Sequence, residues 1–271
     1  MPDPDRQHGR SWRDGLLLSV GTLTVLRVPP PAVVDRRSGG IAMAIAPLAV
    51  LPLAGTVALL AWLLPTHLDV DHVVTAIVCV GVLALGTRAL HLDGLSDVAD
   101  GLTSGHDRQR SLTVMKSGAA GPAGVAALVL VLLLQVVAAA AVTLHQHGWA
   151  VVGLGVVVSR ATLALACARP VPAARADGLA APLAGTVPVV VAALVWLAAL
   201  AASAAVYDTT DLPWWRGPVA VAVGLLVALV VLRRCVTRFG GVTGDVFGAL
   251  VETSFAAVLA ASTTRFVFFA G

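Results

Sequence analysis

Seven apolar stretches dictate what this chain can become. Residues 41–64, 73–90, 122–144, 149–168 and 187–206 each come close to the 20 or so residues a helix needs to cross a bilayer. Residues 218–232 and 246–261 are shorter versions of the same pattern. Hydrocarbon offers the backbone no hydrogen-bond partner, so such runs must satisfy themselves as helices. Charged residues make up only 12% of the chain, against about 25% in a soluble domain. The expected fold is an all-α, polytopic membrane bundle of about seven transmembrane helices. Pro47, Pro52 and Gly55 fall inside the first stretch, which is ordinary for membrane helices and suggests no special role.

The remaining organisation is simple. Residues 1–15 are polar and are expected as a flexible tail, and the apolar run 16–26 is too short to span. That run lacks a small-residue cleavage pattern, so it reads as an interfacial or re-entrant helix rather than a signal peptide. No repeat or low-complexity linker divides the sequence, and 1–271 is expected to form a single membrane-embedded catalytic domain. Cys79, Cys167 and Cys235 have no ligand-like spacing and read as small apolar-segment residues.

Charge then orients the bundle. Arg6, Arg10, Arg13, Arg27, Arg36 and Arg37 precede the first stretch, while Arg108, Arg110, Lys116, Arg169, Arg175, Arg233, Arg234 and Arg238 fall in alternate connections. The opposite connections hold only Arg216 and Arg265. By the positive-inside rule, the N-terminus and the large connections face the cytoplasm of a cell membrane. The arginines sit in loops and form no patch with interleaved aromatics, so nucleic acid is not an expected partner.

Every chemically unusual segment lies on that same side. Residues 91–101 read His-Leu-Asp-Gly-Leu-Ser-Asp-Val-Ala-Asp-Gly and place Asp93, Asp97 and Asp100 directly after an apolar run. Offsets of four and three keep the acids on one helical stripe. Carboxylates crowded at a bilayer edge need a cation or several donors, and the natural guest is a hard divalent ion such as Mg²⁺. A solvated helix end is the plainer alternative. Residues 240–245, Gly-Gly-Val-Thr-Gly-Asp, form a second motif, followed by Gly248 and Glu252, the sole glutamate. Its glycines would let backbone amides approach an anion. Arg160 lies about 13 Å inside the fourth stretch at the helical rise of 1.5 Å per residue, a depth that calls for a carboxylate or phosphate partner. Lys116 precedes the third stretch, where a helix N-terminus would also draw phosphate. Gln135 reads as an interhelical contact, and His145 and His147 as a solvated loop.

Carboxylates for a metal, cations for phosphates and a glycine-rich loop together describe phosphoryl transfer. Asp97-Val-Ala-Asp100-Gly101 echoes the opening of the CDP-alcohol phosphotransferase motif, but Thr103-Ser104 replaces its Ala-Arg and no later aspartate pair follows. A cation-coupled transporter, with Glu252 and Arg160 lining a path, is the alternative from another class; no inverted repeat supports it. The motifs His-Leu-Asp-Gly-Leu-x-Asp-x-x-Asp-Gly and Gly-Gly-x-Thr-Gly-Asp-x-x-Gly-Ala-x-x-Glu, with Met115–Gly124 and Ser159-Arg160 between them, resemble the cobalamin synthase (adenosylcobinamide-GDP ribazoletransferase) family in order and spacing. The resemblance runs from about residue 16 to 260.

It implies a Mg²⁺-dependent membrane enzyme joining α-ribazole, or its 5′-phosphate, to adenosylcobinamide-GDP with release of GMP. It further implies Asp93, Asp97, Asp100 and Asp245 as metal ligands, with Asp97, Asp100 and Asp245 as the catalytic acids. His91, Lys116, Arg160, Gly240, Gly241, Thr243, Gly244 and Glu252 would then bind substrate and phosphate. The chain departs from the family at Ser117-Gly-Ala-Ala120, where an aspartate is usual, and at Arg27, where proline is usual.

Overall fold

In a computed structural model, residues 4–264 are described, with side chains from Ser11 onward. Among the described residues the chain forms twelve helices and no strand. They are α1 (Pro4–Leu23), α2 (Arg36–Ala44), α3 (Ala46–Ala49), α4 (Leu51–His67), α5 (His72–Gly86) and α6 (Leu90–Thr103), followed by α7 (Arg108–Met115), α8 (Pro122–Thr143), α9 (Gly148–Ala166), α10 (Val189–Asp208), α11 (Arg216–Phe239) and α12 (Gly244–Thr263).

Five of these, α8 to α12, are long and apolar enough to cross a membrane, or six if α5 and α6 form one span bent by 89°. The expected stretch at 41–64 is instead broken into α2, α3 and α4. Pro47 and Pro52 sit in the first turns of α3 and α4, where a missing N–H costs nothing, but the same residues cannot continue a preceding helix. These prolines therefore have a role that their position inside an apolar run did not suggest. The stretch at 73–90 likewise ends early. Arg88 and Ala89 adopt left-handed backbone angles, φ 57° and 54°, which end α5 and start α6 in a new direction.

Two helices form the centre. The apolar windows of α9 and α12 are 72% and 78% buried, against 28% for α8 and 17% for α10. The outer helices accordingly present Leu130, Val137 and Val190 outward, the arrangement expected when lipid is the solvent. The polar N-terminal segment, expected as a tail, is helical from Pro4, and α1 folds back on α2 and α3. Asp14 accepts the amides of Ala32 and Val33, and Ser19 donates to the Ala42 carbonyl at 2.9 Å. The short apolar run 16–26 is thus tucked against the bundle. Arg265 and the side chains of Arg6 and Arg10 lie outside the described residues.

The connections gather at two ends. His72 meets Thr143, and His145 meets Asp211, at one of them. At the other, Arg108 donates to the Ala174 carbonyl at 2.9 Å and Ala173 pairs with Val242. The second end carries every motif singled out in the sequence except the interior of α9 and α12.

Candidate functional site

The site is built where α6 crosses the start of α12. A Cβ on Gly94 would lie 2.6 Å from the Asp245 carbonyl oxygen, and one on Gly248 would lie 2.7 Å from the His91 carbonyl oxygen. Glycine at both positions lets the two backbones touch. That contact brings the α6 acids beside Asp245 in the first turn of α12. The charges of Asp93, Asp245, Asp100 and Arg175 all act on Asp97. Along α6 the acids grade inward: Asp93 is exposed, Asp97 half-buried and Asp100 buried.

Asp245 is held from two sides. Thr243, the N-cap of α12, accepts the Val246 amide and donates to Asp245 Oδ2 at 3.1 Å. Arg175 reaches the same oxygen at 3.4 Å. Thr243, Gly244 and Asp245 then line a cavity of about 240 Å³ together with Lys116, Arg175 and Asp177. A neighbouring cavity of about 490 Å³ shares Lys116, Arg175 and Asp177 and adds Arg108 and Gln109. Between them Lys116 donates to Asp177 at 3.0 Å. That bond, with the ammonium charge, holds the exposed Asp177 carboxyl below its usual range.

Asp100 has a structural task that its spacing did not suggest. Its two oxygens accept the amides of Gly121 at 2.7 Å and Gly124 at 2.8 Å, so the side chain closes the N-terminus of α8. The acid explains the glycines of the following loop, because a Cβ at Gly124 would strike both Ser96 and Asp100. Its carboxylate is aimed at that helix end.

Three further groups of expected site residues do not line this cavity. Arg160 is fully buried and donates through Nη1 to Ser159 Oγ at 2.8 Å and the Val156 carbonyl at 3.2 Å. Its charge acts on Glu252 and His91, and it does not line the open cavity. Glu252, 4% exposed, accepts from Gln135 at 2.7 Å and lies 4.0 Å from His91 Nδ1. Arg160, Glu252, His91 and Gln135 thus form a polar cluster inside the bundle, beneath the acids. Gly240 and Gly241 are also spent on packing. The space for a Cβ is taken at Gly240 by the Arg108 guanidinium and at Gly241 by the backbone of residues 172–174. Of the motif's glycines, Gly244 lines the cavity. The Ser117–Ala120 stretch is exposed.

The sequence reading missed the connection between α9 and α10, treating its arginines only as topological charges. Arg175-Ala-Asp177-Gly178 is a polar turn between two apolar stretches, a signal visible in the sequence but without an address until the fold supplies one.

No three His, Cys, Asp or Glu side chains among the described residues are assembled closely enough to hold a metal ion by themselves. The donors available around the cavity are hard carboxylate oxygens. That set suits Mg²⁺, which ordinarily takes one or two carboxylates and completes its shell with phosphate oxygens and water.

Comparison with known proteins decides the family. A model of the family "Cobalamin-5-phosphate synthase" matches residues 15–263. This chain belongs to that family. An adenosylcobinamide-GDP ribazoletransferase of Nocardioides sp. is 46% identical over 253 residues, 93% of this chain and 100% of that protein. One from Frankia casuarinae is 41% identical over 254 residues, covering 88% of this chain and 90% of its own length. One from Alkalilimnicola ehrlichii is 38% identical over 250 residues, with 90% and 93% coverage. No solved structure matches. Both acidic motifs and the Arg175 connection fall inside the matched region of the family.

Proposed function

We propose that this chain is an adenosylcobinamide-GDP ribazoletransferase, joining α-ribazole or its 5′-phosphate to adenosylcobinamide-GDP and releasing GMP. The observation that carries the reading is the 46% identity across the whole length of a relative bearing that name. The geometry supports it, because the α6 acids act on one another beside Asp245 of α12, and Asp245 lines one cavity with Lys116 and with Arg175 of the α9–α10 connection.

In this reading one or two of Asp93, Asp97 and Asp245 would hold Mg²⁺, which when bound offsets the charge of the pyrophosphate. Arg175 exchanges its ion pair with Asp245 for a substrate phosphate, and Lys116 leaves Asp177 to do the same. Thr243 keeps the Asp245 carboxylate turned toward the cavity. One carboxylate, Asp97 or Asp245, accepts the proton of the ribazole hydroxyl as its oxygen attacks the phosphorus nearer the cobinamide. The new P–O bond replaces the bond to the bridging oxygen of the pyrophosphate, and that oxygen leaves on GMP. Asp100, Arg160, His91 and Glu252 act by fixing the helices that carry these groups. The charge asymmetry supports placing the site on the cytoplasmic side of the cell membrane, with the N-terminus on that side.

The test is incubation of the purified protein with adenosylcobinamide-GDP, α-ribazole and Mg²⁺, following GMP. Release of GMP is expected from the wild type. Asp97→Asn should lose about 10²-fold or more in turnover, the scale of removing one electrostatic stabiliser. No GMP from a folded wild-type protein would overturn the function, and normal turnover in both Asp97→Asn and Asp245→Asn would overturn the site.

A further inference from the structure

A third cavity, of about 360 Å³, opens at the same end of the bundle and shares no residue with the two described above. It lies between the end of α6, the loop at 105–106 and the last turns of α11. Arg234, Arg238, His106 and Thr237 line it, and no carboxylate does. Arg238 carries the second observation. Its Nε and Nη2 are shut off from water with no acceptor among the described residues. Arg238 is half-buried, and guanidinium N–H groups left short of acceptors carry a cost that an oxyanion drawn into the adjoining space relieves. Positive-inside placement accounts for basic residues at this level of α11. It does not account for a concave, carboxylate-free arrangement of them.

The helix face leading into the cavity adds a direction. Leu226, Val230, Arg234 and Arg238 follow one another in steps of four, so they form a single row along α11. Leu226 and Val230 are 61% and 54% exposed. The row is apolar where the helix meets acyl chains and basic where it leaves them. An amphiphile bearing a phosphate group matches both halves.

We infer that the α6–α11 cavity is a binding site for a phosphate-bearing anion, separate from the candidate catalytic cavity, with an anionic phospholipid headgroup as the source that the α11 row favours. Free phosphate groups share the same recognition chemistry, and the test is arranged to separate the two. The full-length protein is melted after reconstitution into phosphatidylcholine vesicles with or without phosphatidylglycerol, and separately in detergent with or without inorganic phosphate. Wild type should gain roughly 5 °C or more at saturating phosphatidylglycerol, the response of a protein of this size to a ligand far above its Kd. The exposed-site variant Arg234→Gln and the pair Arg234→Gln with Arg238→Gln should lose the gain. Arg233→Gln, which removes the same charge outside the cavity, should keep it. Inorganic phosphate giving the same variant-sensitive gain would support the anion site and overturn the lipid as its source. A gain that survives in Arg234→Gln, falls equally in Arg233→Gln, or is missing with both anions would overturn the site.

Discussion

Gly94→Ala is a one-methyl test of how the site is assembled. The added Cβ would lie 2.6 Å from the Asp245 carbonyl oxygen and 2.9 Å from Asp245 Cα, both backbone atoms that cannot swing aside. Ordinary contact begins at 3.4 Å, so α6 and α12 must part by roughly 0.8 Å at their crossing. Overpacking of this kind costs about 1–3 kcal/mol, and alanine's better helix propensity returns up to about 1 kcal/mol. The net loss of stability is therefore modest, about 0–3 kcal/mol. The effect on chemistry should be larger. Asp93 and Asp97 ride on α6 and Asp245 on α12, and a misplacement near 1 Å between reacting groups can cost about 10²-fold in rate. The assay pairs GMP release with a melting curve on one preparation. Gly81→Ala in α5 is the control, because nothing lies within 4 Å of its Cβ position; it should melt at or above the wild-type midpoint with normal turnover. Wild-type rate in Gly94→Ala would refute the idea that this contact sets the spacing of the acids.

Asp100→Ala should destabilise the protein by about 0.5–2 kcal/mol through loss of the α8 cap, and Asp100→Asn, which keeps one acceptor oxygen, should lose less; equal melting of both variants and wild type would exclude the capping role. Arg160→Lys should lower the melting midpoint with and without substrate, by an amount equivalent to about 1–3 kcal/mol, while leaving the KM for adenosylcobinamide-GDP unchanged. A raised KM with normal melting would instead put Arg160 in contact with substrate. Cysteines placed at 105 and 70, in a background without Cys79, Cys167 and Cys235, should label from opposite sides of the membrane, with 105 reacting from the cytoplasm. Labelling of both from one side would refute the orientation.

Much of this protein was legible from one dimension. Apolar run length sets α8 to α12, because a backbone in lipid has few alternatives to a helix. The Asp93–Asp97–Asp100 stripe and the glycine-rich turn before α12 are likewise local patterns, and their order along the chain carries the family resemblance. What periodicity cannot supply is the neighbour that a face will meet. Asp93, Asp97 and Asp100 look equivalent as a stripe, yet Asp100 turns to amides 21 and 24 residues further on. Arg160 looks like a phosphate ligand by depth alone, but its environment is Glu252, 92 positions away in the chain. Arg175 acquires meaning only when a connection between two helices brings it to Asp245, 70 residues later. Helix propensity and hydropathy act within a segment, so the sequence by itself determined the long helices α8 to α12 and the stock of charged groups. Which of those groups come together was decided by tertiary packing, above all at the crossing of α6 and α12, where two glycines let the helices touch.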